Sequence, residues 1–242
     1  MPSSAAISVI AICAALLTST VNAIEPLAVR GLKSMPGVAC VTVRSAEQPT
    51  HRVVHILDWH YVPKKQFLLD TPDANYEAFL DDVAALQKQQ RALIKEIGVK
   101  AVFLEGLTTE SKADYAKRIA ALKKYKLPTG DDPIDLFVAK LQREDSLQLG
   151  APGAMLMAGE IDAMLPADDP ELHRAADPVT KDGIDIDLEA NERREDGMVR
   201  LLLTHPLAVI VLGGEHDLAD NLPVTVEYLR VVLRGYEKAA SP

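Results

Sequence analysis

Two acid–histidine segments stand directly after short apolar runs in this chain. The segment DWH, Asp58 to His60, follows residues 53–57, and the segment GGEHD, Gly213 to Asp217, follows residues 207–212. Continuous apolar runs of this length are typical of strands that are buried on both faces of a sheet. Because open α/β sheets bind ligands beyond the carboxyl ends of their strands, we expect both segments to contribute to one composite site.

A third acid, Glu105, follows the apolar run Ala101–Leu104. Two neutral imidazoles together with carboxylates suit Zn²⁺, Mn²⁺ or Co²⁺. We therefore predict that His60, His216 and Glu105 bind a divalent metal, while Asp58 and Glu105 complete the ligand set or act as a general base on water. The structural alternative is that the acids cap the next helix or hold a loop, and that the histidines are only hydrogen-bonded.

Arg194 is a further candidate for the site. It shares a stripe with Ala190 and Met198 on a helix predicted over residues 186–203. An arginine on an inward face must meet an acid or an anionic ligand. It is predicted either to bind substrate, orienting a carboxylate or polarising a carbonyl, or to form a structural ion pair with a carboxylate of the site. Glu215 and Tyr61 are also predicted to contact the substrate.

The elements that must position these residues alternate between strands and helices. The clearest helix is predicted from residue 71 to residue 97, with Thr71 as N-cap, Pro72 in the first turn and Gly98 just beyond its end. It connects strands over residues 53–58 and 101–104, which favours a right-handed parallel crossover. The pattern predicts an α/β fold with a central, mostly parallel sheet and helices on both faces.

The other elements follow from the spacing of apolar residues and from the turn residues. Residues 27–44 are predicted to be a lead-in, and residues 61–70 and 169–179 connections. Residues 224–233 favour an antiparallel edge strand, with a helix as the alternative. Helices are predicted over residues 111–124, 133–149, 154–161 and 186–203, and strands over residues 162–165 and 207–212.

Composition limits the class of protein. The 242 residues are 48% hydrophobic and 25% charged, with a net charge of −9 and no block of Lys or Arg. This composition is that of a globular protein, and its charge argues against nucleic acids and anionic membrane surfaces as partners. The length suits one α/β domain, predicted over residues 24–242. The oligomeric state stays open.

The first 23 residues have the pattern of a signal peptide. An uncharged apolar run, residues 5–17, precedes Val21-Asn22-Ala23, which fits the small-x-small cleavage pattern. Cleavage would give an exported protein, periplasmic or extracellular; the alternative is an uncleaved membrane anchor. If Cys13 leaves with the signal peptide, Cys40 has no partner for an intramolecular disulfide. We expect Cys40 to be a small buried apolar residue.

These motifs together resemble the superfamily that includes erythromycin esterases, ChaN and the TraB–TIKI proteins. Leu57 to His60 resembles its first G-[ET]-x-H motif, with Leu57 and Asp58 in place of Gly and Glu. Phe103 to Glu105 matches its Glu-bearing strand. Arg194 to Met198 resembles its R-[ND]-x-x-M helix, with Glu195 in the second place, and Gly213 to His216 matches its second G-x-x-H motif in full. The resemblance spans residues 53–221, with residues 111–179 poorly matched.

The resemblance implies an α/β domain with a His/Glu cleft, but it does not imply one activity. Branches of the superfamily include macrolide esterases, metal-dependent proteases and ChaN-like haem-binding proteins, and size and export signal are most similar to the ChaN-like branch. The leading prediction is a metal-dependent hydrolase of ester or peptide bonds in a small molecule or peptide. The alternatives are a haem-binding protein that uses His60 or Tyr61, and a scaffold that has lost catalysis.

Overall fold

The structure is a computed structural model that describes residues 29–70, 75–124, 130–180 and 183–239. The predicted signal peptide with Cys13, and the predicted helix start at Thr71, Pro72 and Asp73, lie outside the described residues. Export of the chain therefore stays a prediction. Within the described ranges, no helix combines the length and the apolar character that crossing a membrane requires.

Helices and strands alternate through the described ranges. The strands are β1 (Val38–Arg44), β2 (His51–Asp58), β3 (Ala101–Leu104), β4 (Ala163–Pro166), β5 (Val179–Thr180), β6 (Gly183–Ile184), β7 (Leu207–Gly213) and β8 (Val226–Leu233). The helices are α1 (Val29–Lys33), α2 (Lys64–Asp70), α3 (Tyr76–Ile97), α4 (Lys112–Lys124), α5 (Pro133–Gln148), α6 (Gly150–Ala158), α7 (Pro170–Ala175), α8 (Leu188–Leu202) and α9 (Arg234–Ala239).

Six strands form the central sheet, in the order β1-β8-β2-β7-β3-β4. The pairs β8–β2, β2–β7, β7–β3 and β3–β4 are parallel, and β1–β8 is antiparallel. The prediction of a mostly parallel α/β sheet is confirmed. The strands β2 and β3 are parallel as expected, but β7 lies between them.

Helices pack on both faces of this sheet, as predicted. The alternating side chains of β7 show the two faces: Val209 and Val211 pack in the core beneath α3 and α6, whereas Ile210 and Leu212 pack in the core beneath α8. Every second residue of a strand points to the same face, so an apolar run covered by helices on both sides needs no polar position. This double burial explains the continuous apolar runs in the sequence.

The prediction for the C-terminal strand was wrong about its place. Residues 224–233 contain a strand, β8, but it lies inside the sheet rather than at its edge. The antiparallel edge strand is instead β1, in the segment predicted to be a lead-in. Cys40, which lies on this edge strand, is exposed rather than buried. Its place on an edge strand leaves it uncovered.

Two predicted connections contain short helices. Residues 61–70 include α2, and residues 169–179 include α7, which has an N-cap at Asp169 and Pro170 in its first turn. The described start of α3 is also later than predicted. Asn75 caps this helix by accepting a hydrogen bond from the backbone N–H of Ala78 at 3.2 Å. Gly98 ends α3 in the left-handed conformation, as predicted.

Candidate functional site

The carboxyl ends of four neighbouring parallel strands carry the polar residues of one cluster. Asp58 is the last residue of β2, Glu105 follows β3, and His216 comes three residues after β7 ends. Asp168 follows the end of β4 by two residues. Since β2, β7, β3 and β4 are consecutive in the sheet, the topology brings these side chains to one edge.

Glu105 lies at the centre of the cluster, where four donors meet its carboxylate. Its Oε1 accepts from Arg194 Nη2 and His216 Nε2, both at 3.2 Å. Its Oε2 accepts from the backbone N–H of Gly213 at 2.7 Å and lies 3.0 Å from His60 Nε2. Burial alone would raise the pKa of Glu105, but the hydrogen bonds from the two histidines hold it well below its ordinary value. Glu105 is therefore ionised, and it holds His60, His216 and Arg194 around its carboxylate.

His216 is buried and held through both ring nitrogens. Its Nε2 faces Glu105, and its Nδ1 lies 2.7 Å from Glu195 Oε1. Burial lowers the pKa of His216, but the hydrogen bonds to Glu105 and Glu195 outweigh burial and raise it to about 9. The imidazole is therefore protonated at neutral pH in this structure.

His60 is the exposed member of the cluster, with 53% of its side chain accessible to solvent. Its Nδ1 lies 3.3 Å from Asp58 Oδ2, and its Nε2 faces Glu105. Burial acts to lower the pKa of His60, but the contacts with Asp58 and Glu105 prevail and raise it to about 10. Gln90 in turn holds Asp58, since its Nε2 donates to Asp58 Oδ1 at 2.7 Å. His60 is therefore the side chain of the cluster that is most accessible to solvent.

Arg194 forms the structural ion pair that was one of its two predicted roles. Its Nε donates to Asp168 Oδ1 at 2.6 Å, and its Nη2 donates to Asp168 Oδ2 at 3.1 Å and to Glu105. Asp168 also accepts from the backbone N–H of Gly106 at 2.7 Å. This bidentate pair fixes the guanidinium behind Glu105. Direct contact of Arg194 with substrate stays a prediction.

Two glycines allow the backbone to approach the cluster. A Cβ on Gly213 would lie 3.0 Å from His60 Nε2 and 3.3 Å from Glu105 Oε2. A Cβ on Gly214 would overlap the hydroxyl of Tyr236, which packs against that backbone. Arg230 supports the same turn, because its Nη2 donates to the carbonyl of Gly214. Glycine therefore suits both positions, because a Cβ would crowd His60 and Glu105 at Gly213 and would overlap Tyr236 at Gly214.

The remaining predicted residues lie at the rim. Glu215 is exposed and lines a cavity together with His60 and His216. Tyr61 lines a second cavity, which His60 also lines, and its hydroxyl donates to Glu144 at 3.1 Å. Asp217 is exposed and accepts from the backbone N–H of Ala219, so it holds the turn.

Sequence reasoning missed two polar residues of the cluster, Asp168 and Gln90, and named Glu195 in the motif that begins at Arg194 without giving it a role. Asp168 carries the signal that identified Asp58 and Glu105, an acid just beyond a strand, and could have been found in that way. Glu195 is buried one residue after Arg194. Gln90 is fully buried on α3, and a polar residue within an apolar stripe is the signal that it carried.

The donor types fit a divalent metal, but the hydrogen bonds use the same atoms. Among the described residues, no group of three or more His, Cys, Asp or Glu side chains is arranged to hold a metal ion. The Nε2 atoms of His60 and His216 stand at hydrogen-bond distances from Glu105, whereas Zn–N and Zn–O bonds are about 2 Å. Each Nδ1 is held by another carboxylate, Asp58 or Glu195, the outer arrangement common around histidine ligands.

No protein-family model matches the chain, and no curated protein or solved structure matches it significantly.

Proposed function

We propose that this chain is a hydrolase of ester or peptide bonds and that His60, Glu105 and His216 form its active site. The observation that carries the proposal is the position of His60. Its half-exposed imidazole faces the cleft while its two nitrogens lie against Asp58 and Glu105. A histidine held in this way is suited to general acid–base catalysis, because its orientation is set before substrate arrives.

The proposed reaction needs two proton transfers, one to the leaving group and one from the attacking water. The oxygen of a water forms a bond to the carbonyl carbon, and the C–O or C–N bond to the leaving group breaks. Protonated His60 donates its proton to the leaving group and is recharged by a proton of that water. The second water hydrogen stays on the new acid, so atoms and charge balance.

The other residues keep His60 in place and balance charge. Asp58 holds Nδ1 of His60, and Gln90 holds Asp58. Glu195 holds Nδ1 of His216, so the Nε2 atoms of both histidines face Glu105. If a divalent metal such as Mn²⁺, Co²⁺ or Zn²⁺ is bound, His60, His216 and Glu105 would hold it, and its charge would activate water and polarise the carbonyl.

The charges of the cluster support the metal form of the proposal. Four carboxylates, Asp58, Glu105, Asp168 and Glu195, meet one permanent cation, Arg194. Protons on the two histidines compensate most of this negative charge in the structure. A divalent cation would provide the same compensation, so protons and metal compete for these atoms.

Hydrolysis of p-nitrophenyl esters and fluorogenic peptides by the full chain tests the proposal. We expect His60→Ala and Glu105→Gln to lower kcat/KM at least about 100-fold, the range of general acid–base catalysis. His51→Ala, at the amino end of the same strand, is the matched control and should keep full activity. Turnover that persists in His60→Ala would reject this site, and no turnover of either substrate class would reject the function.

The metal part of the proposal is tested separately. Trp59, the one tryptophan of the chain, stands between Asp58 and His60. Titration with Mn²⁺ or Co²⁺ should change its fluorescence in the wild type but not in a His60→Ala/His216→Ala double variant. If activity persists in the presence of a chelator and the fluorescence does not change, the metal is rejected while the proposed hydrolase activity stands.

A further inference from the structure

Two cavities at the cluster share three lining residues, Asp58, His60 and Glu105. The larger one, which we call the aromatic cavity, has a volume of about 400 Å³ and is walled by Trp59, Val62, Gly214 and Tyr236. The smaller one, the polar cavity, has a volume of about 120 Å³ and is walled by residues that include Gln87, Tyr115 and Gln148. A bound molecule that spans both cavities would therefore contact these three residues, of which His60 is the most exposed.

The walls of the aromatic cavity suit a flat apolar group. The rings of Trp59 and Tyr236 meet edge to face, with their centroids 6.0 Å apart. The volume lies within the range of roughly 300–1,000 Å³ that is usual for small-molecule sites. Aromatic walls stabilise ring systems by apolar burial, and they also attract cations through the faces of the rings.

The charges around the cleft disfavour an anionic group. Of the described residues that line the two cavities, none is Lys or Arg, and Asp58, Glu105 and Glu215 are acidic. The protonated His60 and His216 also line the cleft, but they lie against Asp58, Glu105 and Glu195 rather than against Glu215. Glu215 is exposed at the aromatic cavity, so it would face a bound group directly. A carboxylate placed beside Glu215 would meet a like charge, and both histidine cations are already paired with other acids.

The polar cavity suits a small uncharged group. Its volume is less than a third of that of the aromatic cavity. Two glutamines, Gln87 and Gln148, and two tyrosines, Tyr61 and Tyr115, are among its lining residues. The amide N–H of Gln87 and the hydroxyl of Tyr61 already donate to the Leu147 carbonyl and to Glu144. Amides and hydroxyls form hydrogen bonds to neutral polar atoms without requiring charge.

We propose that the substrate of the hydrolase is a two-part molecule whose scissile bond lies at His60. A flat apolar group, neutral or cationic, occupies the aromatic cavity, and a small uncharged polar group occupies the polar cavity. This inference rests on the proposed function for the statement that the bond is hydrolysed, but the two binding preferences need no turnover. They are therefore tested by binding alone.

Fluorescence of Trp59 in the wall of the aromatic cavity measures the first preference. Three probes share one ring: phenyltrimethylammonium, benzyl alcohol and benzoate. We expect the Kd of the first two to be at least 10-fold lower than that of benzoate. Tyr236→Leu should raise both of those values at least 5-fold, whereas Phe137→Leu, an exposed aromatic residue on α5 outside the cavity, should not change them. Equal affinity for benzoate would overturn the charge preference.

A charge reversal tests the same preference with little risk to folding. Glu215→Lys changes an exposed side chain and should lower the Kd of benzoate at least 10-fold while raising that of phenyltrimethylammonium. Glu47→Lys, also exposed but in the turn before β2, is the control and should change neither. An identical response of the two variants would overturn the role of Glu215.

The second preference is tested by adding a small polar group to the ring. N-benzylacetamide should bind at least 10-fold more tightly than benzyl alcohol, because its amide extends towards the polar cavity. Gln148→Phe should fill that cavity and remove the gain while benzyl alcohol binding stays unchanged. An equal Kd for the two probes in the wild type would overturn the two-part substrate, whereas failure of hydrolysis alone would overturn only the proposed function.

Discussion

Glu105 shows how one buried residue determines the state of its neighbours. A buried carboxylate is stable only when charges and donors surround it, and each of its two oxygens has two such contacts. Arg194 provides the permanent positive charge and divides it between Glu105 and Asp168, whose side chain is fully buried. The histidines must therefore hold protons, which is the physical cause of their raised pKa values.

Removing Arg194 should destabilise the chain strongly. Arg194→Leu leaves two buried carboxylates without their main cation, so we expect the free energy of unfolding to fall by about 3–5 kcal/mol. The neighbouring Arg193 is half exposed and pairs with Glu189 one helical turn away. Arg193→Leu should therefore cost at most about 0.5 kcal/mol. Urea unfolding of both variants measures the difference; equal losses would show that the inner pair contributes no more than the surface pair.

Helices on the two faces of the sheet each bring polar residues to the site. Helix α3 packs on one face and brings Gln90 to Asp58. Helix α8 packs on the other face and brings Arg194 and Glu195 to the histidines and acids. Each helix is amphipathic, so the apolar stripe that docks it on the sheet also sets the direction of its polar residues.

The N-cap of α3 lies outside the site, and we expect it to contribute to the free energy of unfolding. Asn75→Ala removes the side-chain acceptor for the N–H of Ala78 and should lower the free energy of unfolding by about 1 kcal/mol. Asn75→Asp keeps an acceptor and should restore most of that loss. Thermal or urea unfolding of the two variants provides the measurement. If Asn75→Ala has the stability of the wild type, the helix does not depend on this cap.

At the scale of the whole molecule, buried titratable groups set the pH range of stability. The folded pKa of His216 is above its unfolded value, so the stability that it contributes is complete below about pH 6.5 and is lost as the pH rises through about 9. Burial lowers the pKa of His55 to about 4, and the pKa of Glu105 is also lowered. These two groups make stability fall on the acid side, below about pH 6.5 for His55 and below about 4.5 for Glu105.

We expect the free energy of unfolding to decrease by about 3 kcal/mol from His216 alone between pH 6.5 and pH 9. His216→Gln should show a shallower decrease over that interval, because the contribution of His216 is gone and only that of the half-exposed His60, whose pKa is also raised, remains. His51→Gln, at the opposite end of β2, should keep the slope of the wild type. The check is urea unfolding at five pH values; parallel curves for wild type and His216→Gln would contradict the assignment.

Much of the fold was predictable because helices covering both faces of the sheet leave clear patterns. The strands before Asp58, Glu105 and Gly213 were predicted from continuous apolar runs, and the end of α3 from Gly98. Strand β1 was missed because it lies at the edge of the sheet, where only Val38 and Val41 of its seven residues are buried. The order of strands was not predictable, since it depends on long-range pairing that no local pattern records.

By itself, the sequence determined which residue types follow which strands, and therefore that Asp58, His60, Glu105 and His216 belong near one edge of a parallel sheet. Only the tertiary structure decided what these side chains do to one another. It placed β7 between β2 and β3, brought Asp168 to Arg194, and left His60 as the exposed histidine of the cluster, lining two cavities. The reason is physical: local spacing sets the direction of a side chain, whereas its partners, and through them its charge, depend on which distant strands and helices pack beside it.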